Sequence, residues 1–381
     1  MRKYVDISGF NPNQPNRGNA ALSYGSISFL EEKGLLSTSN ELIFFQYFRN
    51  PFKAKYLLKK TFIYNISGKK YKYNVIPVFI LEKWICIHLP IFAPFTRYGR
   101  MIHRTAYEAA DYGGDGFSDI YGDNLFNARL NQSKPFMKMG IPIIMLPQTI
   151  GPFSKAKNLK QAIEVMRYAK DIYVRDENFI PKLEKLGIPY HRSKDLSAFM
   201  FPEKFNISIK EKSVGINVSG LAYSNKFKDL ANQFDVYPEL IDKLIKHFQE
   251  KGCNVYLIPH SYNYENPEKN NDDMVACKVA FDKLSNKQNV IFIDDNLSAP
   301  QVKYVISQMT FFIGTRMHAN FAAIYTNVPL FGLAYSYKFK GAFDANGLNG
   351  EKQTVMINNI SKNDIDIIIK KIDNVYNELH K

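Results

Sequence analysis

Thr310-Phe311-Phe312-Ile313-Gly314-Thr315-Arg316-Met317-His318-Ala319-Asn320 reads as a buried strand that stops at a glycine and turns directly into a helix. The apolar run is too short for a helix, Gly314 permits a tight turn, and the Ala-containing stretch towards Asn327 favours helix. The same pattern recurs along the chain. Residues 141–146, 172–174, 214–218, 255–258, 290–293 and 330–333 are further short apolar runs. Between them, apolar residues repeat at helical spacing. Leu159, Ile163 and Met166 form one stripe. Leu240, Ile241, Leu244, Ile245 and Phe248 form another, ahead of Gly252 as a stop. Pro300 opens a third helix, and Ile365, Ile368, Ile369, Ile372 and Val375 lie along a last one. Strand–helix alternation of this kind predicts an α/β protein with parallel sheets. A polar pause at Phe201-Pro202-Glu203-Lys204 divides it into residues 1–203 and 204–381. The expectation is therefore two doubly wound Rossmann-like domains facing a cleft. Such sheets bind ligands beyond the carboxyl ends of their strands, which points to those ends for function.

Composition supports this reading. The chain has 381 residues, 45% hydrophobic and 23% charged, enough for two sizeable cores and not a disordered chain. Its net charge is +14 and its pI about 9.3, which favours anionic partners: nucleic acid, an acidic bilayer or phosphorylated small molecules. Biased residue usage would produce the same excess. Three cysteines, Cys86, Cys253 and Cys277, show no metal or redox spacing, so a reducing cytoplasm is expected rather than a disulfide framework. The first six residues are charged with no apolar stretch behind them, and no signal peptide is expected. No Gly-x-x-x-x-Gly-Lys-Ser/Thr, Gly-x-Gly-x-x-Gly or Gly-x-Ser-x-Gly element occurs, and no cluster has metal-ligand spacing. No metal and no cofactor are expected.

Residues 49–95 interrupt the pattern. Lys53, Lys55, Lys59, Lys60, Lys69, Lys70 and Lys72 alternate with Phe52, Tyr56, Phe62, Tyr64 and Tyr71, and an apolar stretch, 75–95, follows. Glu82, Lys83 and His88 inside that stretch, with Pro77, Pro90 and Pro94, argue against a span, since each central charge costs about 2.5–3.5 kcal/mol in hydrocarbon. Two readings remain: a surface-lying segment with a basic face on anionic lipid, or a helical hairpin buried against the first domain.

Several strand ends carry chemistry. After residue 313, the first turn of a helix offers free N–H groups and a positive dipole end to an anion. There Arg316 adds a fork for carboxylate or phosphate, and His318 adds a group that titrates near neutrality. This reading expects the Arg316 fork to be open to ligand and not locked to an internal acid. Arg175 projects from a second strand end, with Asp176 placed to cap the next helix. In Asp111-Tyr112-Gly113-Gly114-Asp115-Gly116, the glycines let backbone approach a ligand, and Asp115 can accept a hydroxyl proton. An ordinary turn has the same composition. Asn19 follows the first strand, Gln148 is expected to be exposed at the end of another, and His260 stands after a strand of the second domain.

Taken together, the Gly-Asn-Ala-Ala segment at Gly18, Gly113-Gly114-Asp115-Gly116, Pro147-Gln148-Thr149-Ile150-Gly151-Pro152, Val174-Arg175-Asp176 and Gly314-Thr315-Arg316-Met317-His318-Ala319 resemble the polysaccharide pyruvyl transferase family. The family has a further glycine where this chain has Asp115, and residues 49–95 match nothing recognisable in it. The resemblance implies a GT-B-like fold, phosphoenolpyruvate as donor and a pair of sugar hydroxyls as acceptor, giving a cyclic pyruvate ketal and phosphate. It implies donor binding by Arg175, Gly314, Thr315, Arg316, Met317 and His318, and catalysis by His318, Asp115 and Arg316. Asn19, Gly114, Gln148 and His260 are candidates for the acceptor, with the N-terminal domain holding it. On this reading His318 delivers a proton to the enol carbon and Asp115 deprotonates a hydroxyl. Arg316 should make His318 lose its proton more easily, and the bound donor's negative charge should reverse that. The basic apolar segment suits a lipid-linked saccharide of envelope or capsule synthesis at the inner membrane face. Two alternatives stay open: a nucleotide-sugar glycosyltransferase on the same fold, and a noncatalytic protein binding anionic glycan or nucleic acid through 49–95. Nucleic acid is not the expected partner, because the strongest constellation sits at strand ends.

Overall fold

Each short apolar run becomes a strand because a turn former bounds it and its side chains are needed on both faces of a sheet. The computed structural model describes residues 3–37, 39–50, 60–66 and 68–378. Its strands are β1 (Tyr4–Ser8), β2 (Glu41–Phe48), β3 (Lys60–Ile66), β4 (Lys69–Phe79), β5 (Thr105–Ala110), β6 (Ile143–Gln148), β7 (Asp171–Val174) and β8 (His191–Arg192). After these come β9 (Ser213–Asn217), β10 (Asn254–Leu257), β11 (Val290–Phe292), β12 (Phe311–Gly314), β13 (Leu330–Ala334) and β14 (Thr354–Met356). The chain divides into two compact units: Met1–Asn11 with Leu22–Met200, and Pro12–Ala21 with Phe201–Lys381.

Among the described residues, the first unit holds one sheet in the order β3-β4-β2-β1-β5-β6-β7-β8. Every neighbouring pair is parallel except the β3–β4 hairpin. Alternate residues serve opposite faces. Ile143 and Met145 pack with Phe126, Leu130 and Val165 of the helices Asp123–Lys138 and Ala156–Tyr168. Ile144 and Leu146 pack with Phe29 and Leu30 of the helix Arg17–Glu32.

The second unit holds a sheet in the order β11-β10-β9-β12-β13-β14, parallel throughout. Counted from β9, that is the order 3-2-1-4-5-6 of the Rossmann sheet, whose switch point falls between β9 and β12. Val214, Ile216, Phe311 and Ile313 meet the helices Tyr237–Glu250 and Lys362–Glu378. Tyr256, Ile258 and Phe312 meet the helices Ala299–Ser307 and Met317–Ile324 on the other face. Both sheets are therefore doubly wound.

Two expectations need correction. The division falls at Met200/Phe201, at the start of the polar pause, but Pro12–Ala21, expected in the first domain, counts with the second unit. Its ties are backbone pairing of Asn16 with Ser261 and the bond from the Arg17 N–H to the His260 carbonyl (3.1 Å). The segment 49–95 is not an inserted helical hairpin. Phe52, Lys53, Lys55, Tyr56 and Lys59 lie outside the described residues, but β4 enters the sheet beside β2, pairing Leu42 with Tyr73 through Phe48 with Phe79. Exposed Lys69, Lys70 and Lys72 alternate with buried Tyr71 and Tyr73, so the lysines are the solvent side of a strand. The helix Ile80–His88 and a 3₁₀ turn, Pro90–Phe95, follow.

Candidate active site

In the second unit, the ends of β9, β10 and β12 converge on one buried carboxylate. Asp273 opens the helix Asp273–Lys283 and is wholly buried. One of its oxygens accepts the Gly220 N–H (2.8 Å); the other accepts the His260 and Ser261 N–H groups (3.1 and 2.9 Å) and the Asn217 amide (3.3 Å). Arg316, at the start of the helix Met317–Ile324, donates to it from Nε (3.1 Å) and Nη2 (2.7 Å). Nη2 also reaches the Asn271 side chain (2.9 Å), and Tyr335 is a further side-chain partner. The Arg316 N–H donates to Asn217 Oδ1 (2.9 Å). The open fork expected of Arg316 is thus not what the fold provides. Burial opposes its charge, and Asp273 reverses that and raises its pKa. Arg316 fastens the strand ends and keeps a fixed positive charge beside them.

His318 stands two residues on, half-buried, and packs edge-on to Phe321 at 5.7 Å. A Cβ at Gly18 would come within 2.5 Å of His318 Nδ1, so Gly18 is the residue that admits the ring. Next to Gly18, the buried Arg17 guanidinium is held by neutral acceptors: the carbonyls of Leu297 (2.7 Å), Pro15 (2.9 Å) and Gln14 (3.0 Å), and the Asn296 side chain (3.0 Å). His260 is buried with Nδ1 lacking a hydrogen-bond partner. Burial first, then the charges of His318, Arg316 and Arg17, hold its pKa well below the usual imidazole range. His260 is a neutral ring in a positive field.

The other predicted residues here frame the turn. Thr315 is buried and its hydroxyl is bonded to Tyr237 (2.8 Å). Gly314 leaves room for Asn320, whose amide donates to the Gly314 and Arg316 carbonyls (3.0 and 3.2 Å). Met317 packs against the core. Asn19 is half-buried in a segment that counts with this unit, not with the expected acceptor domain.

In the first unit, the ends of β5, β6, β7 and β8 form a second constellation. Arg175 donates from Nε to Thr149 Oγ1 (3.0 Å) and pairs through Nη1 with the buried Asp195. Its guanidinium lies over Gly114, where a Cβ would stand 3.1 Å from Nη1 and where φ is +76°. Asp176 does not cap a helix. It accepts the Asn178 N–H (3.2 Å) and the Thr149 hydroxyl, and the next helix starts at Ile180. Asp115 is half-buried and accepts the Tyr121 hydroxyl (2.8 Å). Gln148, expected to be exposed, is wholly buried: its amide donates to the Ala110 carbonyl (3.2 Å) and accepts the Tyr112 N–H (3.3 Å). Both ends of that side chain are used to hold the β5 terminus, so it is no acceptor ligand.

Sequence reasoning passed over Asp111. It follows β5 directly, accepts the Gly113 N–H (2.8 Å), and is pushed up to about 6 by burial. A carboxylate immediately after a buried strand was the available signal. Asp195, Asp273 and Asn217 left no such signal, because their partners are distant in sequence. Among the described residues, no three His, Cys, Asp or Glu side chains are grouped to hold a metal.

The family model described as polysaccharide pyruvyl transferase matches residues 16–337, a span that runs from just before Arg17 to beyond His318. The chain belongs to the polysaccharide pyruvyl transferase family. As a member of that family it is similar to the amylovoran biosynthesis protein AmsJ of Erwinia amylovora, 22% identical over 250 residues. That match covers 62% of this chain and 58% of the relative. Among solved structures, the UDP-GlcNAc 2-epimerase of Methanocaldococcus jannaschii aligns with 99% of this chain and 92% of its own, at 10% identity and a TM-score of 0.54. The Neisseria meningitidis UDP-GlcNAc 2-epimerase bound to UDP-GlcNAc aligns with 100% and 94%, at 12% identity and the same TM-score. At such identities the likeness shows the fold alone. This pyruvyl transferase family member has the two-unit, Rossmann-like GT-B fold expected of it.

Proposed function

We propose that the protein moves the enolpyruvyl group of phosphoenolpyruvate onto two hydroxyls of a sugar, forming a cyclic pyruvate ketal and releasing phosphate. The observation that carries this reading is the grouping, beside the β9–β12 switch point, of the buried Arg17 and Arg316 guanidiniums with His318 around buried His260. A small donor bearing a carboxylate and a phosphate suits that field and the N–H groups opening the helix Met317–Ile324. In this proposal Arg316 and Arg175, each tied to an internal carboxylate, act as fixed charges for the donor rather than as open forks. His318 gives a proton to the enol CH₂ carbon, and the resulting cationic centre takes the first hydroxyl oxygen. Phosphate leaves, and the second hydroxyl closes the ketal. Each hydroxyl gives up its proton as it bonds: Asp115 takes one, and the departing phosphate takes the other. Asn19, Gly114 and neutral His260 are the proposed acceptor contacts. The acceptor class is a lipid-linked saccharide of envelope or capsule polysaccharide, met at the cytoplasmic face of the membrane. No cofactor enters this chemistry.

The test is incubation with phosphoenolpyruvate and a panel of galactosides and mannosides, following phosphate release and product mass. Ketal formation with phosphate release is expected, and His318→Gln should lower turnover by about 10²–10⁴-fold. Release of nucleotide from a sugar nucleotide, with phosphoenolpyruvate untouched, would overturn the reading in favour of glycosyl transfer.

A further inference from the structure

The helix Ile80–His88 is inside out. Its charged residues face the protein: Lys83 is buried with Nζ 3.9 Å from the Tyr47 ring centroid, and Glu82 accepts the Tyr98 N–H (2.8 Å). Its apolar residues face water. Leu81 is 51% exposed and Trp84 49%, on the same face as His88. The 3₁₀ turn Pro90–Phe95 continues the surface with Ile91 (78%), Phe92 (54%) and Phe95 (80%). So many large apolar side chains clustered on one short stretch exceed what an isolated surface residue needs by way of explanation. Glu82 and Lys83, two of the three charges that argue against a membrane span from sequence alone, are therefore turned away from this surface.

The exposed charged residues of the segment 80–104 have one sign. Arg97, Arg100, His103 and Arg104 are exposed in the helix Arg97–His103 and just after it, and Glu82 is the only acid between Ile80 and Arg104. Arg100 Nη1 donates to the Phe95 carbonyl (3.0 Å), tying the basic helix to the apolar turn. A second copy of this chain would bring arginine against arginine. A bilayer bearing anionic headgroups would accept both the apolar side chains and the basic rim. No helix among the described residues is long and apolar enough to cross a membrane, and a helix of 9 residues suits the interfacial plane.

We propose that the face formed by Leu81, Trp84, Ile91, Phe92 and Phe95, rimmed by Arg97 and Arg104, seats the protein on an anionic lipid bilayer. The proposal stands whether or not the pyruvyl reading holds. Trp84 is the single tryptophan of the sequence, so its emission reports the contact directly. The full-length protein is titrated with phosphatidylcholine vesicles, with and without phosphatidylglycerol, and sedimented with them. Blue-shifted Trp84 emission and cosedimentation with the anionic vesicles are expected. Because the replaced side chains are exposed, Leu81→Ser/Ile91→Ser/Phe95→Ser should keep its circular dichroism and melting temperature while losing binding by roughly 100-fold. Arg97→Gln/Arg104→Gln should lose about tenfold and become insensitive to added salt. Unchanged Trp84 emission with anionic vesicles overturns the proposal. So does a wild-type dimer that the triple Ser variant converts to monomer without any vesicle binding, which would make this face a contact between copies.

Discussion

Gly18 and His318 lie 300 positions apart in sequence, yet neither can be placed without the other. The His318 ring occupies the volume a Gly18 side chain would fill, with Nδ1, Cγ and Cβ all within 2.8 Å of the ideal Cβ. Gly18→Ala therefore must move the ring. The clash includes His318 Cβ, which turning the ring does not relieve, so the helix carrying His318 must shift as well. The expected result is a lowered melting temperature together with turnover on phosphoenolpyruvate reduced about 10–100-fold, while circular dichroism shows the fold retained. Wild-type turnover in Gly18→Ala would show that the position of His318 does not matter to the reaction. At this scale the sequence located the end of β12 and the turn at Gly314, whose neighbours in the chain announce them, but not the ion pair that locks Arg316 to Asp273. It failed for Gln148, whose amide was expected at the surface, since polarity alone does not reveal that two backbone groups beside it need a partner.

Among elements, β1 and β5 pair in parallel with Asp6 directly opposite Glu108, two wholly buried carboxyls side by side. A cavity of about 180 Å³, lined by Asp6, Ser8, Tyr47, Gln132 and Phe136 among others, adjoins them. Burial pushes Glu108 up to about 7 despite its bond from Ser133 (2.9 Å), and burial together with Glu108 pushes Asp6 up as well. In the unfolded chain both titrate near about 4. A raised carboxyl favours the folded state while protonated, so the stabilisation is complete below that range and declines as pH climbs through about 7. The wild-type melting temperature should fall between about pH 5 and pH 8, and Glu108→Gln, neutral throughout, should flatten the fall by roughly 3–8 °C. An identical slope in the variant would locate the titration elsewhere. The same strands mark where elements were and were not legible. Parallel strands such as β6 and β9 are continuous apolar runs and could be read directly. β5 carries Thr105, Glu108 and alanines, and β4 opens on lysines and contains Pro77, so neither shows a continuous apolar run. β4 still buries Tyr71, Tyr73, Ile76 and Val78 in the cores of its unit, while β5 depends more on its pairing with β1 and β6.

For the molecule as a whole, both sheets deliver their polar residues the same way, at the carboxyl ends of strands flanking the point where strand order reverses. Asp111 follows β5 beside β1, and Arg316 follows β12 beside β9. That much followed from strand–helix alternation and the general rule for such sheets. The assignment of Pro12–Ala21 did not, because its ties to the second unit, backbone contacts and the Arg17 side chain's bonds to Leu297 and Asn296, join residues far apart in the chain. These ties make a prediction about two cores in one chain. Arg17 is buried, stacks on Tyr262 at 4.1 Å and satisfies carbonyls of Leu297, Gln14 and Pro15. Truncating it leaves those acceptors unsatisfied, at a cost of about 1–3 kcal/mol for each that water does not reach. Calorimetry of Arg17→Ala should therefore lower the melting of the second unit by roughly 5–10 °C and move the first unit's less. Arg17→Lys should not restore it, because an ammonium lacks the planar fork that reaches carbonyls in several directions at once. Equal shifts of both transitions would instead mean that the segment stabilises the chain generally, and that its grouping with the second unit has no energetic meaning.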